Sequence, residues 1–238
     1  MEIPIQESPL SDEEFTSFTT KSAVNDKTMT FRGEGSEKWR LLLEESVSPS
    51  KVVWMKTGHT ARAVTVGVDD LSEPADAYVT HERGVLLALN TADCLPIVMV
   101  DKSNGLVALI HAGWKGLVRG VIGNATLRFS EAGADLSSTL VWIGPSVTGP
   151  DYEVGEEVVS SLADAEAFTD AVILRRNGVT CADLPLLARS QLIKQGIPAH
   201  SIDIFPLSTK STLDFHSVRR DGPSAGRMAT IAGFPARV

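Results

Sequence analysis

The 238-residue chain has only two cysteines, Cys94 and Cys181, no excess of positive charge and no long apolar run. Each absence narrows the reading. A membrane helix needs about 20 consecutive apolar residues, and no stretch approaches that. The N-terminus, MEIPIQESPLSDEEF, is acidic and has neither the basic start nor the apolar core of a secretory signal, so the cytoplasm is the expected location. Both cysteines are expected to stay reduced there. Lys and Arg total 22 against 30 Asp and Glu, a net charge of −8, which argues against nucleic acid and acidic membranes as partners. A small anion needs only two or three placed arginines and is not excluded. Repeats, low-complexity tracts and linkers are also missing, and 43% hydrophobic with 22% charged residues fits a soluble globular chain. The expectation is one domain over residues 1–238, large enough for a substantial core.

The element pattern is mixed. The capping-box spacing of Ser11-Asp12-Glu13-Glu14 predicts a short helix there. Gly33 to Gly35 lead into a second helix over Ser36–Glu45, capped by Ser36. Short β-rich runs follow at Val52–Met55, Ala63–Val66, Ala77–Val79, Val85–Leu89, Ile97–Val100 and Leu106–Ile110, the last two forming a hairpin around Ser103-Asn104-Gly105. A long helix is expected from Trp114 to Ala132, ending at Gly133. Leu140–Ile143, Ile202–Phe205 and Asp214–Ser217 read as strands, and Glu153–Leu162 and Asp183–Lys194 as helices. Strands and helices that do not alternate strictly predict an α+β fold with mixed sheets.

The densest chemistry is TADCLP at Thr91–Pro96, followed after the hairpin by HAGWKG at His111–Gly116. Antiparallel strands joined by a short turn bring their outer ends together, which places Cys94 and His111 at one end of a sheet. His59, in the turn Thr57-Gly58-His59-Thr60, is within reach of the same rim. Two histidines and a cysteine suit Zn²⁺, and three protein ligands leave a fourth position open, as in catalytic sites. The same residues also allow Cys94 as a nucleophile with His111 or His59 as base. A third reading makes Cys94 a small core residue. Spacing does not separate the three. His81 and His200 read as exposed, and Cys181 as structural. Arg219-Arg220 before Gly222 has the makings of a bidentate phosphate grip, or of a solvated basic turn. Arg40 reads as a surface position on the early helix.

Taken together, these segments resemble the YfiH-like laccase-domain family, long labelled polyphenol oxidases and now regarded as purine nucleoside phosphorylases. The resemblance runs through Ala75-Asp76-Ala77, TADCLP, HAGWKG, IGPSVTGPDYEVGEEV at Ile143–Val158, the Asp183-Leu184 helix start and HSVRRDGPSAGRMA at His216–Ala229. It implies mixed β-sheets sandwiched by helices, like the catalytic domain of the cytotoxic necrotizing factors. It implies zinc held by His59, Cys94 and His111, with copper as the alternative metal. It places activity-linked arginines at Arg220 and Arg40. The implied reactions are phosphorolysis of adenosine, inosine, guanosine and methylthioadenosine, and deamination of adenosine. A copper polyphenol oxidase and a metal-free cysteine hydrolase using Cys94 are the alternatives. The expected partners are a purine nucleoside and inorganic phosphate, acting on a monomer or weak homo-oligomer. Arg220 is the expected phosphate clamp, and Asp93, beside Cys94, the candidate for proton transfer. The chain departs from the family pattern at four places. Thr57-Gly58-His59-Thr60 stands for Gln-Val-His-Gly, and Trp39 for Asn. Thr148–Asp151 replaces a cysteine-rich stretch, and Ser208-Thr209 a Cys-Thr pair.

Overall fold

A computed structural model describes residues 4–21 and 36–237. Strands β1 (Ile5–Glu7) and β2 (Thr16–Thr20) come first, then helix α1 (Ser36–Ser46), β3 (Lys51–Trp54), β4 (Ala63–Thr65) and β5 (Ala77–Thr80). The centre of the chain is β6 (Val85–Thr91), β7 (Leu95–Asp101), β8 (Leu106–Ala112), α2 (Trp114–Val118), α3 (Val121–Glu131) and β9 (Leu140–Ile143). Then come α4 (Glu156–Ala163), the hairpin β10 (Ile173–Arg176) and β11 (Val179–Ala182), α5 (Leu184–Lys194), β12 (Ile202–Ile204), α6 (Val218–Asp221) and β13 (Met228–Gly233).

Two mixed sheets carry the fold, ordered β1-β2-β13-β6-β3 and β12-β9-β7-β8-β5-β4. The side-chain alternation of a strand assigns each face its partner. On β6, Val85, Leu87 and Leu89 join Val98, Val100, Val107 and Leu109 of β7 and β8 in a core between the sheets. Leu86 and Ala88 point the other way, with Leu43 of α1. On the far side of the second sheet, Leu95, Ile97, Ala108 and Ile110 pack with Leu117, Val121, Phe129 and Leu187 of α2, α3 and α5. The layers therefore run helix, sheet, sheet, helices. Strands β7 and β8 are buried on both faces, which is why their sequences are continuous apolar runs rather than alternating ones.

Several expected elements differ. Ser11–Glu14 is not helical: the Asp12 carboxylate accepts from Glu14 N and Phe15 N, a local turn that feeds buried Phe15 toward β2. The helix after Trp114 breaks in two at Gly120, whose φ of +82° is left-handed. The helix expected from Glu153 starts at Glu156, because Glu153 bridges to Cys181 in β11. Asp214–Ser217 is a turn and not a strand, with Phe215 N bonded back to Thr212 O. Gly33–Gly35 and the side chain of Trp39 lie outside the described residues.

Candidate metal centre

The β7–β8 hairpin sets the site. Its register pairs Leu95 with Ala112 and Pro96 with His111, so Cys94 and His111 occupy its open end. His111 follows Val107 and Leu109 on the face between the sheets. Cys94 leaves the strand through Asp93, which sits at φ +81°. His59 arrives on a turn with φ +55° at the histidine itself.

One buried carboxylate fixes both histidines. Asp76, completely buried, accepts from the backbone N–H groups of Gly58, His59 and Thr60 and from the Thr60 hydroxyl, which holds the His59 turn. The same carboxylate lies 2.6 Å from His111 Nδ1. That bond assigns the proton to Nδ1 and leaves His111 Nε2 as the ligand atom, the usual arrangement of a carboxylate behind a metal-bound imidazole. Burial alone pushes the Asp76 carboxyl up, but the His111 and Thr60 bonds hold it well below the usual carboxylate range. In the sequence Ala75-Asp76-Ala77, nothing local gives Asp76 this role. An acid between small residues just before a buried strand was the available signal.

The ligand atoms of His59, Cys94 and His111 all lie within 4.8 Å of one another, with Cys94 Sγ 3.8 Å from His59 Nε2. Tetrahedral zinc spaces S and N ligands by roughly 3.3–3.6 Å, so a contraction of up to about 1.5 Å completes the geometry. The backbone leaves room for this. A Cβ at Gly113 would stand 3.1 Å from Cys94 Sγ and 3.1 Å from His59 Cδ2. The donor set and the cradle thus fit one borderline-soft cation. Electrostatics agree: burial opposes a Cys94 thiolate, yet His111 and His59 lower its pKa to about 6. Burial likewise opposes charge on His111, but Cys94 and Asp76 raise it to about 9.

Two clefts meet at the triad. One, of about 490 Å³, is walled by Trp114, Val147, Tyr152 and Leu184. The other, of about 570 Å³, is walled by Thr91, Arg219 and Arg227. His59, Asp93, Cys94 and Tyr152 border both.

The remaining candidate residues are placed as follows. Arg219 borders the second cleft, its guanidinium 4.3 Å from the Tyr152 ring centre and Nη1 bonded to Glu153 O. Arg220 borders neither cleft. It grips Asp221 through Nε and Nη2 and reaches the carbonyls of Thr209, Lys210, Thr212 and Phe215. A guanidinium spent on these partners latches the 209–215 loop, and the direct phosphate clamp expected of Arg220 has no free edge to work with. Asp93 is similarly committed, accepting from the Thr209 hydroxyl at 2.6 Å and from Arg219 N at 2.7 Å. It ties the ligand strand to the arginine loop. Arg40 stacks on Trp54 at 4.5 Å, on the α1 side of the first sheet, and borders neither cleft. Two departures from the family pattern acquire reasons. A Cβ at Gly58 would come 2.8 Å from Pro74 Cβ, and the Thr60 hydroxyl gives Asp76 a bond that glycine lacks.

The family description "multi-copper polyphenol oxidoreductase laccase" matches residues 5–235. The chain belongs to the YfiH-like laccase-domain family. A relative from Streptomyces coelicolor, named a purine nucleoside phosphorylase, is 37% identical over 77% of this chain and 75% of its own. A second, named adenosine deaminase RL5 and from an unknown prokaryotic organism, is 35% identical over 66% of this chain and 62% of its own. Both named relatives are enzymes. The crystal structure of the Bacillus licheniformis hypothetical protein YfiH superposes with a TM-score of 0.83 at 22% identity, covering 92% of each chain, which confirms the mixed α+β fold. Among the described residues no helix is long and apolar enough to cross a membrane.

Proposed function

We propose that the chain is a zinc-dependent purine nucleoside phosphorylase that also deaminates adenosine. The carrying observation is the His59–Cys94–His111 cluster opening onto two substrate-sized clefts, supported by the phosphorylase name of the 37% identical relative. When bound, zinc supplies a Lewis acid with an open coordination position at the cleft floor. The protein's own residues do the rest. Asp76 orients the His111 imidazole and holds the backbone of the His59 turn, and Gly113 keeps the approach to the cluster open. Tyr152 and Arg219 wall the substrate space, Asp93 accepts from the Arg219 backbone N–H, and Arg220 latches the loop of Thr209, whose hydroxyl also binds Asp93.

The deaminase reading rests on the second relative's name, and water takes the place of phosphate as nucleophile in it. The copper-oxidase reading has less support. The described residues contain one cluster with metal-ligand geometry, while laccase chemistry uses several coppers. A metal-free thiol hydrolase would use the same Cys94–His59 pair, so zinc dependence separates it. Product analysis tests the proposal. Base release from inosine should require inorganic phosphate, yield ribose 1-phosphate and stop on zinc removal. Free ribose formed without phosphate would make the enzyme a hydrolase.

A further inference from the structure

The turn that carries His59 is gripped from two sides. Asp76 accepts from the N–H groups of Gly58, His59 and Thr60. From the other side Arg119 Nη1 donates to His59 O at 2.6 Å. The His59 carbonyl and the Thr60 N–H belong to one peptide unit, and in a trans peptide the two point in opposite directions. That unit therefore lies between a carboxylate, 2.6 Å from its nitrogen, and a guanidinium, 2.6 Å from its oxygen. Both bonds are charge-assisted, which makes them about twice as strong as neutral ones. Because His59 N also bonds to Asp76, the peptides on both sides of the His59 Cα are held. The direction in which the imidazole leaves the backbone is held with them.

The conformation needs this hold. His59 sits at φ +55°, in the left-handed region that residues with a Cβ visit rarely. Released from Arg119, the turn keeps its N–H groups on Asp76, but the peptide plane is free to tilt about them. Ligand atoms must stay within about 0.5 Å of productive geometry, so a small tilt matters. The reach of Arg119 comes from how the chain leaves β8. Helix α2 starts at Trp114, just beyond the ligand His111, and packs on the His59 turn at Gly116. A Cβ there would stand 3.7 Å from both Thr60 O and His111 O. Arg119 is the C-cap of α2, and left-handed Gly120 then turns the chain into α3. From α3, Asn124 Nδ2 donates to Ala61 O at 2.7 Å. On one unbroken helix, side chains five residues apart diverge by about 140°, and the break at Gly120 lets both reach one turn.

We propose that Arg119 is a positioning residue of the metal centre, holding the His59 carbonyl opposite Asp76 so that the imidazole is aimed at the ligand position. The inference rests on the reading of His59, Cys94 and His111 as a metal site, and it holds whichever reaction that site runs. Arg119 is exposed and also borders the cleft walled by Trp114, so a direct contact to substrate is the competing role. The two roles differ in what they do to metal binding.

The test compares Arg119→Met, which keeps the aliphatic stem and loses the donor, with Arg119→Lys, which keeps a cation able to make the single bond to His59 O. The readouts are zinc Kd by chelator competition, the absorption spectrum of the cobalt-loaded protein, and the melting temperature without metal. Partners behind metal ligands are typically worth about 10–100-fold in metal affinity, and Arg119 acts one step further back, through the backbone. The zinc Kd of Arg119→Met should rise roughly tenfold and its cobalt bands should shift. Arg119→Lys should recover most of the affinity and the wild-type bands. Both metal-free variants should melt near wild type, because the side chain is exposed. A zinc Kd within twofold of wild type and unshifted bands in Arg119→Met would overturn the assignment, whether or not a substrate KM rises. So would a lower metal-free melting temperature that Arg119→Lys fails to restore, which makes Arg119 a contact of the fold. A wild-type protein that takes up neither zinc nor cobalt would instead overturn the metal-site reading, and the role of Arg119 with it.

Discussion

Replacing Asp76 by Asn tests whether one buried carboxylate organises the metal centre. The carboxylate serves five donors: the N–H groups of Gly58, His59 and Thr60, the Thr60 hydroxyl and His111 Nδ1. An amide can accept on one side only. If its NH₂ faces Thr60, it meets the Thr60 N–H head-on and the His59 turn loosens. If it faces His111, the imidazole must shift its proton to Nε2, the atom that has to bind metal. Either way a ligand is lost or misaimed. Losing a charge-assisted bond at a buried site costs about 1.5–3 kcal/mol. Loss of a hydrogen-bonding carboxylate behind a metal ligand typically weakens metal affinity about 10–100-fold. The assay is zinc Kd by competition with a calibrated chelator, together with ¹⁵N spectra of the His111 ring and a thermal melt. The expected result is a Kd raised into that range. A variant that folds and binds zinc within about twofold of wild type would refute the role given to Asp76.

Other expectations concern the loop, the thiols and pH. Arg220→Lys cannot reproduce the six contacts to Asp221 and the loop carbonyls, so melting temperature and turnover should both fall while zinc content holds. A rise in phosphate KM alone, with an unchanged melt, would show a direct clamp instead. Cys181→Ser should keep full metal and activity, because the buried Cys181 thiol donates to Pro150 O, an acceptor a hydroxyl also satisfies, and lies outside the metal cluster; loss of zinc would refute that. In metal-stripped protein, Cys94 ionises near pH 6 because His111 and His59 outweigh burial, so its alkylation rate should rise through about pH 6 and then level off. Added zinc should suppress it, and a midpoint near the ordinary thiol value of 9.0 would contradict the pairing.

The β7–β8 hairpin was readable because apolar runs flank a Ser-Asn-Gly turn, and its geometry alone places Cys94 beside His111. The layered order was not. Strand β13, in the middle of the first sheet, reads as Met-Ala-Thr-Ile-Ala-Gly, half of it Ala and Gly with no polar alternation, and forms because β2 and β6 present partners far away in the chain, Thr19 for Thr230 and Thr91 for Met228. The role of Asp76 was hard to read for a related reason. Its five donors come from a turn and a strand that meet only in three dimensions. The loop contacts of Arg220 were not legible because a basic pair before glycine looks the same in sequence whether it grips an anion or its own loop. The capping box at Ser11 failed because the Asp12 turn and burial of Phe15 outcompete a helix with no apolar face to bury.

The central claim is a single zinc held by three side chains, and metal content tests it most directly. Protein purified without chelators and measured by elemental analysis should carry about one zinc per chain, as a three-ligand site with one open position implies. Cys94→Ala and His111→Ala, folded by circular dichroism, should carry essentially none. Wild-type protein devoid of transition metal, or variants that keep their zinc, would contradict it.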